Sequence, residues 1–329
     1  MEMEQQIGRN LALELVRVTE AAALTAGRWM GRGQKESADQ AAVDAMRMVL
    51  NTIPMDGLVR IGEGTKDKAP MLYEGELLGC ASEPKTDIAV DPIDGTRLLS
   101  QGMAGSIATV AVAERGAMYE SPYVVYMEKI AVGPEAAEAI DIDAPVATNL
   151  ANIADALNKD IRDLTVVILD RPRHAEMAEQ IRAAGARIRF IMDGDVAGAV
   201  MAAMPDTGID VLMGTGGAPE AVVAACAIRC IGGEIQCKLW PRDHSEREAL
   251  KNAGIDASDV LDALDLVGGD DVFFAATGIT DGELLRGVHY HGDGATTQSV
   301  VMRSRSGTVR KVDAIHRLSK LATYGVPVD

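Results

Sequence analysis

The sequence is poor in aromatic residues and in basic residues, and each shortage excludes a class of protein. Phe, Trp and Tyr make up only 3% of the chain, so an aromatic-rich β-sandwich is disfavoured, and the Ala, Val, Ile, Leu and Met that dominate the apolar residues favour helices and buried parallel strands. Lys and Arg total 32 against 49 Asp and Glu, a net charge of −17. Nucleic acid is therefore excluded as a partner, because phosphate backbones need a basic surface. A small anionic ligand would need a local reversal of charge, which bound divalent cations supply.

Cysteine and long apolar runs are also scarce. The chain has four cysteines and no CxxC pair. Cys226 and Cys230 lie four residues apart in a predicted helix, which indicates buried core residues and a reducing compartment. The N-terminal stretch is acidic and interrupted by charges, unlike a signal peptide, and no apolar run approaches the ~18 residues of a membrane span. We therefore expect a cytoplasmic protein that does not contact a membrane.

The order of predicted elements divides the 329 residues into two parts. Residues 6–30 have helical periodicity, Asp39 is predicted to cap a second helix, and SIATVAVAERGAMY is predicted to form a hairpin, which together make an α+β pattern. Beyond residue 145, strands at 165–169, 187–192 and 209–213 alternate with helices, which favours βαβ units and a parallel sheet. We predict an α+β subdomain over residues 1–150 and an α/β subdomain over residues 151–329.

The end of the chain contains a further predicted hairpin. The segment TTQSVVMRSRSGTVRKVDAI reads as two strands that turn at Ser306-Gly307. This hairpin could pack back on the first subdomain, and the sequence leaves that question open.

The stretch AVDPIDGT places two carboxylates, Asp91 and Asp94, three residues apart at the end of an apolar strand. Like charges this close raise each other's pKa unless a positive charge lies between them. A hard divalent cation would let both stay ionised, and Pro92 would stiffen the connection and leave the carbonyl of Ile93 free as a further ligand. The alternative is a solvated, Asp-rich turn.

The residues after these carboxylates favour phosphate as the ligand. Gly95 allows a backbone to approach a phosphate closely. A helix that starts at Gly95-Thr96 would present its amide groups and its dipole to an anion beside the cation.

Other carboxylates stand where a scaffold presents side chains to a crevice. Glu63 follows a predicted strand between two glycines, and Asp39 and Glu220 each stand at a predicted helix start. Carboxylates, waters and substrate phosphate are the usual ligands of Mg²⁺. The sequence therefore predicts a cation site built from several separate segments.

At this point the chain resembles a known family. DPIDGT after an apolar strand, with GEG upstream, is similar to the signature of the magnesium-dependent, lithium-sensitive sugar and inositol phosphatases. Longer stretches narrow the resemblance to class II fructose-1,6-bisphosphatase of the GlpX type, from about residue 8 to residue 320: GRGQKESADQAAVDAMR, IGEGTKDKAPMLYEGE, YMEKIAVGP, RPRHAEM, DGDVAGA, GGAPEAV and FFAATGITDGELL.

The resemblance implies a role for individual positions. Metal ligands would be Asp39, Glu63, Asp91, the carbonyl of Ile93, Asp94 and Glu220. Thr96, held by Asp39, would orient or deprotonate the attacking water, and Lys35 would lie near the transferred phosphate. The substrate would contact Gly95, Thr96, Tyr126, Arg171, Arg173, Asp193, Asp195 and Glu220, with Arg171, Arg173 and Tyr126 on the far phosphate and the sugar, and Asp193 and Asp195 on sugar hydroxyls.

Each role has a simpler alternative: Tyr126 could be structural, and Lys35 could be a solvated residue of a polar loop. Arg171 and Arg173 could be surface charges at a helix start, and DGD at 193–195 could be an Asp-capped helix start. DGD could also belong to a phosphatase with a phosphoaspartate intermediate, but that pair is expected at the first strand of a parallel sheet rather than the second. The five histidines show no metal-ligand spacing, and none is assigned to catalysis.

Three positions depart from the family pattern: Thr65 stands where many relatives carry Glu, Ala221 where Gly is common, and Thr215 where Ile is usual. The first could change the number of bound metal ions or the preference between Mg²⁺ and Mn²⁺. The other two are expected to affect rate rather than reaction type.

Together, the residues and the resemblance predict a layered αβαβα sandwich with the site between two subdomains. The implied reaction is metal-dependent hydrolysis of the 1-phosphate of fructose 1,6-bisphosphate by a homodimer or homotetramer, with two or more Mg²⁺ or Mn²⁺ ions in each site. Two alternatives stay open: a different or dual sugar bisphosphatase, acting for example on sedoheptulose 1,7-bisphosphate, and a non-catalytic regulator that binds metal and phosphate.

Overall fold

The computed structural model of the protein describes residues 10–64, 72–120 and 123–323. The helices are α1 (Ala12–Ala26), α2 (Lys35–Leu50), α3 (Thr96–Gln101), α4 (Val146–Leu157), α5 (Ala175–Ala184), α6 (Asp195–Ala203), α7 (Ala218–Ile231), α8 (His244–Ala253), α9 (Ala263–Leu266) and α10 (Leu318–Thr323). The strands are β1 (Asp56–Ile61), β2 (Leu77–Leu78), β3 (Lys85–Asp94), β4 (Ile107–Glu114), β5 (Tyr126–Val132), β6 (Thr165–Leu169), β7 (Arg187–Ile191), β8 (Val211–Gly217), β9 (Glu234–Leu239), β10 (Phe273–Gly278), β11 (His289–His291), β12 (Gly294–Arg303) and β13 (Thr308–Arg317).

These strands form two mixed sheets. The first sheet has eight strands in the order β11-β12-β10-β4-β3-β1-β2, and β13 pairs with β12. The second sheet has five strands in the order β7-β6-β8-β5-β9. The strands β6, β7 and β8 are parallel to one another, as the alternation of strands and helices predicts, whereas β5 is antiparallel to both of its neighbours.

Five layers follow from the way each sheet buries its two faces. One face of the first sheet packs on α1 and α2 in one apolar cluster. Its other face, together with the second sheet, encloses α6 and α7 in the largest cluster. The outer face of the second sheet packs on α4 and α5. The predicted layered α/β sandwich is therefore confirmed, and α6 and α7 are apolar nearly all round because they lie between two sheets.

The path of the chain between the sheets is more interleaved than the sequence indicates. The strand β5 precedes residue 150 but belongs to the second sheet, and β10 to β13 return to the first. The C-terminal hairpin turns at Gly307, which has a positive φ of 56°, and β12 and β13 pair along their whole length. The hairpin joins the first sheet, which answers the question that the sequence left open. The division at residue 150 stays a prediction.

Three local predictions are wrong. The helix that carries Asp39 begins at Lys35, so Asp39 lies inside it rather than at its cap, because Lys, Glu and Ala before it are good helix formers. The segment after Gly116 does not pair with β4, since β3 and β10 already occupy both edges of that strand. The helix predicted over 6–30 is shorter, with α1 over Ala12–Ala26 and a 3₁₀ turn over Gly27–Trp29; residues 6–9 lie outside the described residues.

No helix in the described part of the chain is long and apolar enough to cross a membrane. Cys226, Cys230 and Cys237 are buried, as the helix pattern predicts for the first two, and Cys80 is exposed; all four are free thiols.

Candidate active site

The stretch from Asp91 to Thr96 ends β3 in an irregular turn. The pairing of β3 with β4 changes register between Asp91 and Asp94, so that one more residue lies on β3 than on its partner and the strand bends. Gly95 has a φ of 88°, and α3 begins at the next residue, Thr96. The helix start that the sequence predicts at Gly95-Thr96 is confirmed.

Asp94 connects the two halves of the sandwich. Its Oδ2 accepts a hydrogen bond of 3.0 Å from the amide of Ala197, in the first turn of α6. A Cβ on Gly194, which has a φ of 83°, would lie 3.3 Å from the same oxygen. The DGD turn is therefore built against Asp94, and the first turn of α6 faces the acidic turn of β3.

The other predicted carboxylates approach the same place from separate elements. Glu63 follows β1, Asp39 lies in the second turn of α2, and Glu220 lies in the first turn of α7. They line one cavity of about 460 Å³ between the two sheets. The predicted site residues that line it are Asp39, Glu63, Asp91, Ile93, Asp94, Gly95, Thr96, Tyr126, Arg171, Arg173, Asp193, Asp195 and Glu220.

Lys35 is the predicted site residue that does not line this cavity. It is exposed at the first position of α2, one turn before Asp39. Its charge nevertheless acts on the site, because it lowers the pKa of Asp39.

Burial and mutual repulsion raise the pKa values of the acidic residues in the cavity. Burial is the larger cause for Asp91 and Asp94, whose pKa values lie well above the ordinary value, and each has further carboxylates as neighbours. Burial, followed by the charges of Asp39 and Glu220, raises the pKa of Glu63 to about 7. The pKa of Glu220 is raised by burial and by Asp195. Of these shifted carboxylates, only Glu220 has a cation among the causes of its shift, Lys129, which lowers its pKa; for Asp91, Asp94 and Glu63 no positive charge is among the causes that oppose burial and repulsion.

Two glycines leave room for carboxylates. A Cβ on Gly217 would lie 1.8 Å from Oε2 of Glu220, and a Cβ on Gly216 would lie 1.8 Å from Oδ2 of Asp195. Oε2 of Glu220 is buried and has no hydrogen-bond partner in the described structure. An unsatisfied buried carboxylate oxygen is costly, so the backbone here is shaped to hold an oxygen that awaits a ligand.

These features fit divalent cations bound by oxygen ligands. In the part of the chain that the structure describes, no three His, Cys, Asp or Glu side chains stand as close as in a closed metal site. The predicted carboxylates nevertheless line one cavity, and the Glu220 oxygen without a hydrogen-bond partner belongs to the same group of charges. Asp39, Glu63, Asp91, the carbonyl of Ile93, Asp94 and Glu220 are the groups that would hold the ions.

Thr96 lies between the acidic wall and the helix start. Its hydroxyl donates a hydrogen bond of 3.1 Å to the carbonyl of Ile93. A side-chain hydrogen bond with Thr96 also lowers the pKa of Asp39, which burial raises. Because the hydroxyl has one proton, it donates either to the carbonyl of Ile93 or to the carboxylate of Asp39, two groups that the resemblance assigns to the metal site.

The opposite wall of the cavity comes from the second sheet, and both of its arginines are held by protein partners. Arg171 lies 3.3 Å from Asp193 and also donates a hydrogen bond of 2.6 Å to the carbonyl of Met192. Arg173 donates two hydrogen bonds, of 3.1 and 2.6 Å, to the carbonyl of Thr215, and its guanidinium lies 5.1 Å from the centre of the Tyr126 ring. The guanidinium groups are fixed in place before any ligand binds.

Sequence analysis missed Lys129, a buried cation on β5. Its side chain is 3% exposed, and Nζ lies 2.6 Å from Oδ2 of Asp195. Lysine is almost never fully buried without a partner, so a lysine in the apolar strand YMEKIAV was the available signal. Sequence analysis also missed the role of Gly216 and Gly217; β8 extends to Gly217 by pairing with β5.

His174 lies close to this wall, as do Thr215 and Ala221, two of the three positions that depart from the family pattern. Nδ1 of His174 is 2.8 Å from the carbonyl of Leu169, and Nε2 accepts a hydrogen bond of 2.8 Å from the amide of Thr215. Both ring nitrogens are therefore engaged by the backbone. Thr215 contacts Arg173 only through its carbonyl, and Ala221 is buried in α7. Thr65 lies outside the described residues.

A five-layer α/β sandwich with a buried carboxylate cluster opposite fixed arginines fits the class of metal-dependent phosphatases. Comparison with known proteins narrows this class. The model of the family described as bacterial fructose-1,6-bisphosphatase, glpX-encoded, matches residues 9–316, and the chain belongs to this family. The resemblance stated from the sequence is therefore confirmed, and the protein is a phosphoric ester hydrolase.

Curated relatives match over nearly their whole length. The chain is 45% identical over 325 residues to fructose-1,6-bisphosphatase 1 class 2 of Escherichia coli strain K12, which covers 95% of this chain and 96% of that protein. It is 46% identical over 331 residues to a protein of Synechococcus sp. strain JA-2-3B'a(2-13) named D-fructose 1,6-bisphosphatase class 2/sedoheptulose 1,7-bisphosphatase, covering 93% of this chain and 95% of that one.

Proposed function

We propose that this protein hydrolyses the 1-phosphate of fructose 1,6-bisphosphate to give fructose 6-phosphate and phosphate, as a step of gluconeogenesis. The observation that carries the proposal is the division of one cavity into two walls. The acidic wall suits the transferred phosphate with its cations, and the wall with Arg171 and Arg173 suits a second phosphate. A sugar with a phosphate at each end matches both walls.

Each wall contributes a separate part of the reaction. Bound Mg²⁺ or Mn²⁺, two or more ions in each site, would supply charge neutralisation at the phosphoryl oxygens and a more acidic water. Thr96 orients the water for in-line attack, and as its hydroxyl accepts a proton from that water its own proton passes to the carboxylate of Asp39. Gly95 and the first amides of α3 would face the phosphoryl oxygens, and Lys35, exposed one turn before Asp39, would add positive charge nearby.

The second wall binds and orients the remainder of the substrate. Arg171 and Arg173 present planar donor groups that match phosphate oxygens, and Tyr126 lies beside them. Asp193 and Asp195 accept hydrogen bonds from sugar hydroxyls. Since both arginines already have protein partners, little conformational freedom is lost when the far phosphate binds.

A second substrate has specific support. The Synechococcus relatives carry both fructose and sedoheptulose bisphosphatase in their names, and a longer sugar would place the same two phosphates on the same two walls. We propose sedoheptulose 1,7-bisphosphate as the alternative or additional substrate. A non-catalytic regulator is disfavoured, because the carboxylates that the resemblance assigns to the metal site and Thr96 are all present.

Phosphate release from a panel of sugar bisphosphates tests the proposal. Fructose 1,6-bisphosphate and sedoheptulose 1,7-bisphosphate are each assayed with Mg²⁺ or Mn²⁺, with and without EDTA and Li⁺, and fructose 6-phosphate is measured separately by an enzyme-coupled assay. We expect metal-dependent, lithium-sensitive release with fructose 6-phosphate as the product. Release of neither phosphate with any metal would contradict an enzymatic role, and fructose 1-phosphate as product would contradict the orientation.

We also propose that the chain is a cytoplasmic homodimer or homotetramer. Free thiols at all four cysteines support a reducing compartment. Cell fractionation and sedimentation velocity test the two parts of this proposal.

A further inference from the structure

The C-terminal strand β13 is a long, open edge of the first sheet. All ten of its residues, Thr308–Arg317, pair with β12. Among residues 10–64, 72–120 and 123–323, no strand pairs with its other side. A row of unpaired backbone N–H and C=O groups of this length is a template for another strand, and proteins usually shorten, bend or cover such edges.

The two faces of β13 differ in burial. Val312, Ala314 and His316 are partly buried, and Val312 packs against the cluster that contains α1 and α2. The alternating residues Val309 and Ile315 face solvent, and Ile315 is 84% exposed, more than any other large hydrophobic side chain of the described residues. An exposed isoleucine on an open edge is a liability for a monomer.

The exposed face also carries opposite charges in a symmetric arrangement. Lys311 is exposed, and Asp313 accepts a hydrogen bond of 3.0 Å from Gln298 and contacts Arg286. If a second β13 pairs antiparallel about a two-fold axis at Val312, Lys311 stands opposite Asp313 of the other copy, and Val309 stands opposite its Ile315. Each pair occurs twice, and all four residues lie on the same face.

Neighbouring registers lack this complementarity. An axis between Val312 and Asp313 places Lys311 opposite Ala314, and an axis at Asp313 places it opposite Ile315. Opposite charges and apolar pairs directly across an antiparallel ladder stabilise it, whereas a lysine opposite an isoleucine does not. The sequence of the strand therefore selects one register for pairing with itself.

We propose that β13 is a self-association surface on which a second copy of this chain pairs edge to edge, antiparallel, about a two-fold axis at Val312. The two first sheets then form one continuous sheet, and the isologous contact is closed because each copy offers the same strand. This inference deepens the proposed self-assembly and rests on it. It places the contact on the strand hairpin and requires no change at the catalytic cavity.

Paired cysteines test the register directly. In a Cys80→Ser background, which removes the exposed thiol, Val309→Cys/Ile315→Cys places a cysteine opposite a cysteine twice across the axis, within disulfide reach of directly opposed residues. We expect a covalent dimer on mild oxidation, seen by non-reducing electrophoresis. The two positions within one strand are roughly 20 Å apart, so each single variant is a matched control that should stay uncrosslinked.

Charge reversal tests the same register without cysteines. We expect Lys311→Asp to weaken dimerisation at least tenfold in sedimentation velocity, because it places an aspartate opposite Asp313 of the other copy at two points. We expect Lys311→Asp/Asp313→Lys to dimerise more tightly than either single variant. Arg310→Asp changes the net charge equally and has no acid opposite it, so it should have a smaller effect.

The outcomes separate the interface from the assembly. A stable oligomer that gives no 309–315 cross-link and ignores Lys311→Asp would overturn the interface and leave self-assembly standing. A monomer at all concentrations tested would overturn both. Phosphate release is assayed in parallel, so that failure of the proposed reaction is recorded independently.

Discussion

The two walls of the cavity solve the problem of buried charge in opposite ways. On the wall of the first sheet, Asp91 and Asp94 are buried beside other carboxylates, and their pKa values are raised. On the wall of the second sheet, Asp193 and Asp195 already have cationic partners, Arg171 and the buried Lys129. The first wall is incomplete without cations, whereas the second is complete before any ligand arrives.

This difference assigns chemistry to one wall and recognition to the other. Clustered anions are stable together only when cations neutralise them, so the reacting phosphate belongs where the cations are. Paired charges are rigid and satisfied, which suits binding and orientation. Substitutions on the first wall should therefore reduce kcat, and substitutions on the second should mainly raise KM.

The largest effect is expected for Asp94→Asn. The amide keeps an oxygen that can accept the hydrogen bond from Ala197 but loses the charge that would hold a cation. We expect kcat for fructose 1,6-bisphosphate to fall by about three orders of magnitude, because several kcal/mol of charge stabilisation are removed. Steady-state phosphate release at saturating Mg²⁺ or Mn²⁺ measures it.

Asp210→Asn is the matched control for this variant. Asp210 is also buried, but it accepts a hydrogen bond of 2.8 Å from the amide of Thr165 away from the cavity. It should change stability and leave kcat within a few-fold. Equal losses of kcat in the two variants would show that burial, not cation binding, explains the result.

Thr96→Ala should have the next largest effect. Removal of the hydroxyl leaves Asp39 and the carbonyl of Ile93 without their shared partner, and proton transfer from water loses its relay. We expect kcat to fall by about 10²- to 10⁴-fold, the usual range for such a group, with KM little changed.

Ser100→Ala controls for the local structure of α3. Its hydroxyl donates to the carbonyl three residues earlier, at 3.0 Å, as the hydroxyl of Thr96 does, but it does not line the cavity. Activity close to wild type is expected for it. Wild-type turnover in Thr96→Ala would remove that hydroxyl from the mechanism.

Lys129→Met tests the recognition wall. Loss of the ammonium leaves Asp195 buried without its partner, and breaking a buried pair costs about 3–5 kcal/mol. We expect KM for fructose 1,6-bisphosphate to rise by at least tenfold. KM for p-nitrophenyl phosphate should rise less, because that substrate has no sugar hydroxyl for Asp195. Lys129→Arg should recover part of the loss.

Arg303→Met is the control for Lys129→Met, because it removes a buried cation that lies away from the cavity. Arg303 is buried and makes two hydrogen bonds of 2.6 Å to Asp271. It should lower thermal stability without changing the ratio of the two KM values. If Lys129→Met affects both substrates equally, its role is structural.

The sequence predicted the first wall better than the second, for a physical reason. Asp91, Asp94 and Gly95 are neighbours in the chain, so the repulsion, the positive φ and the helix start are visible in eight letters. The pairing of Lys129 with Asp195 joins β5 to α6, and nothing in either segment alone shows that they meet. The position of β5 in the second sheet was missed likewise, because its neighbours β8 and β9 lie about 80 to 110 residues further along the chain.

The smallest expected effect on turnover concerns a buried carboxylate outside the cavity. This residue tests whether burial alone, without neighbouring carboxylates, can link a carboxylate to catalysis. Burial raises the pKa of Glu20, on α1, to about 7. Its neighbours are Thr297, which donates a hydrogen bond of 3.4 Å, Arg17, and His316 at 3.8 Å, whose own pKa burial lowers. No second carboxylate is among the causes of its shift, in contrast to Asp91 and Glu63.

Glu20 should therefore affect stability alone. Since the folded state holds the proton between pH 4.5 and about 7 while the unfolded state releases it, this group's contribution to stability is full below pH 4.5 and is lost as the pH rises through 7. Glu20→Gln should gain on wild type by at most about 3 kcal/mol between pH 4.5 and pH 8, with kcat unchanged. Thermal unfolding across this range measures the gain, and Glu14→Gln, on the same helix but more exposed, should show a smaller one. A loss of turnover in Glu20→Gln would mean that burial alone, without clustering, can couple a carboxylate to the reaction, and the contrast between the two walls would no longer explain which residues are catalytic.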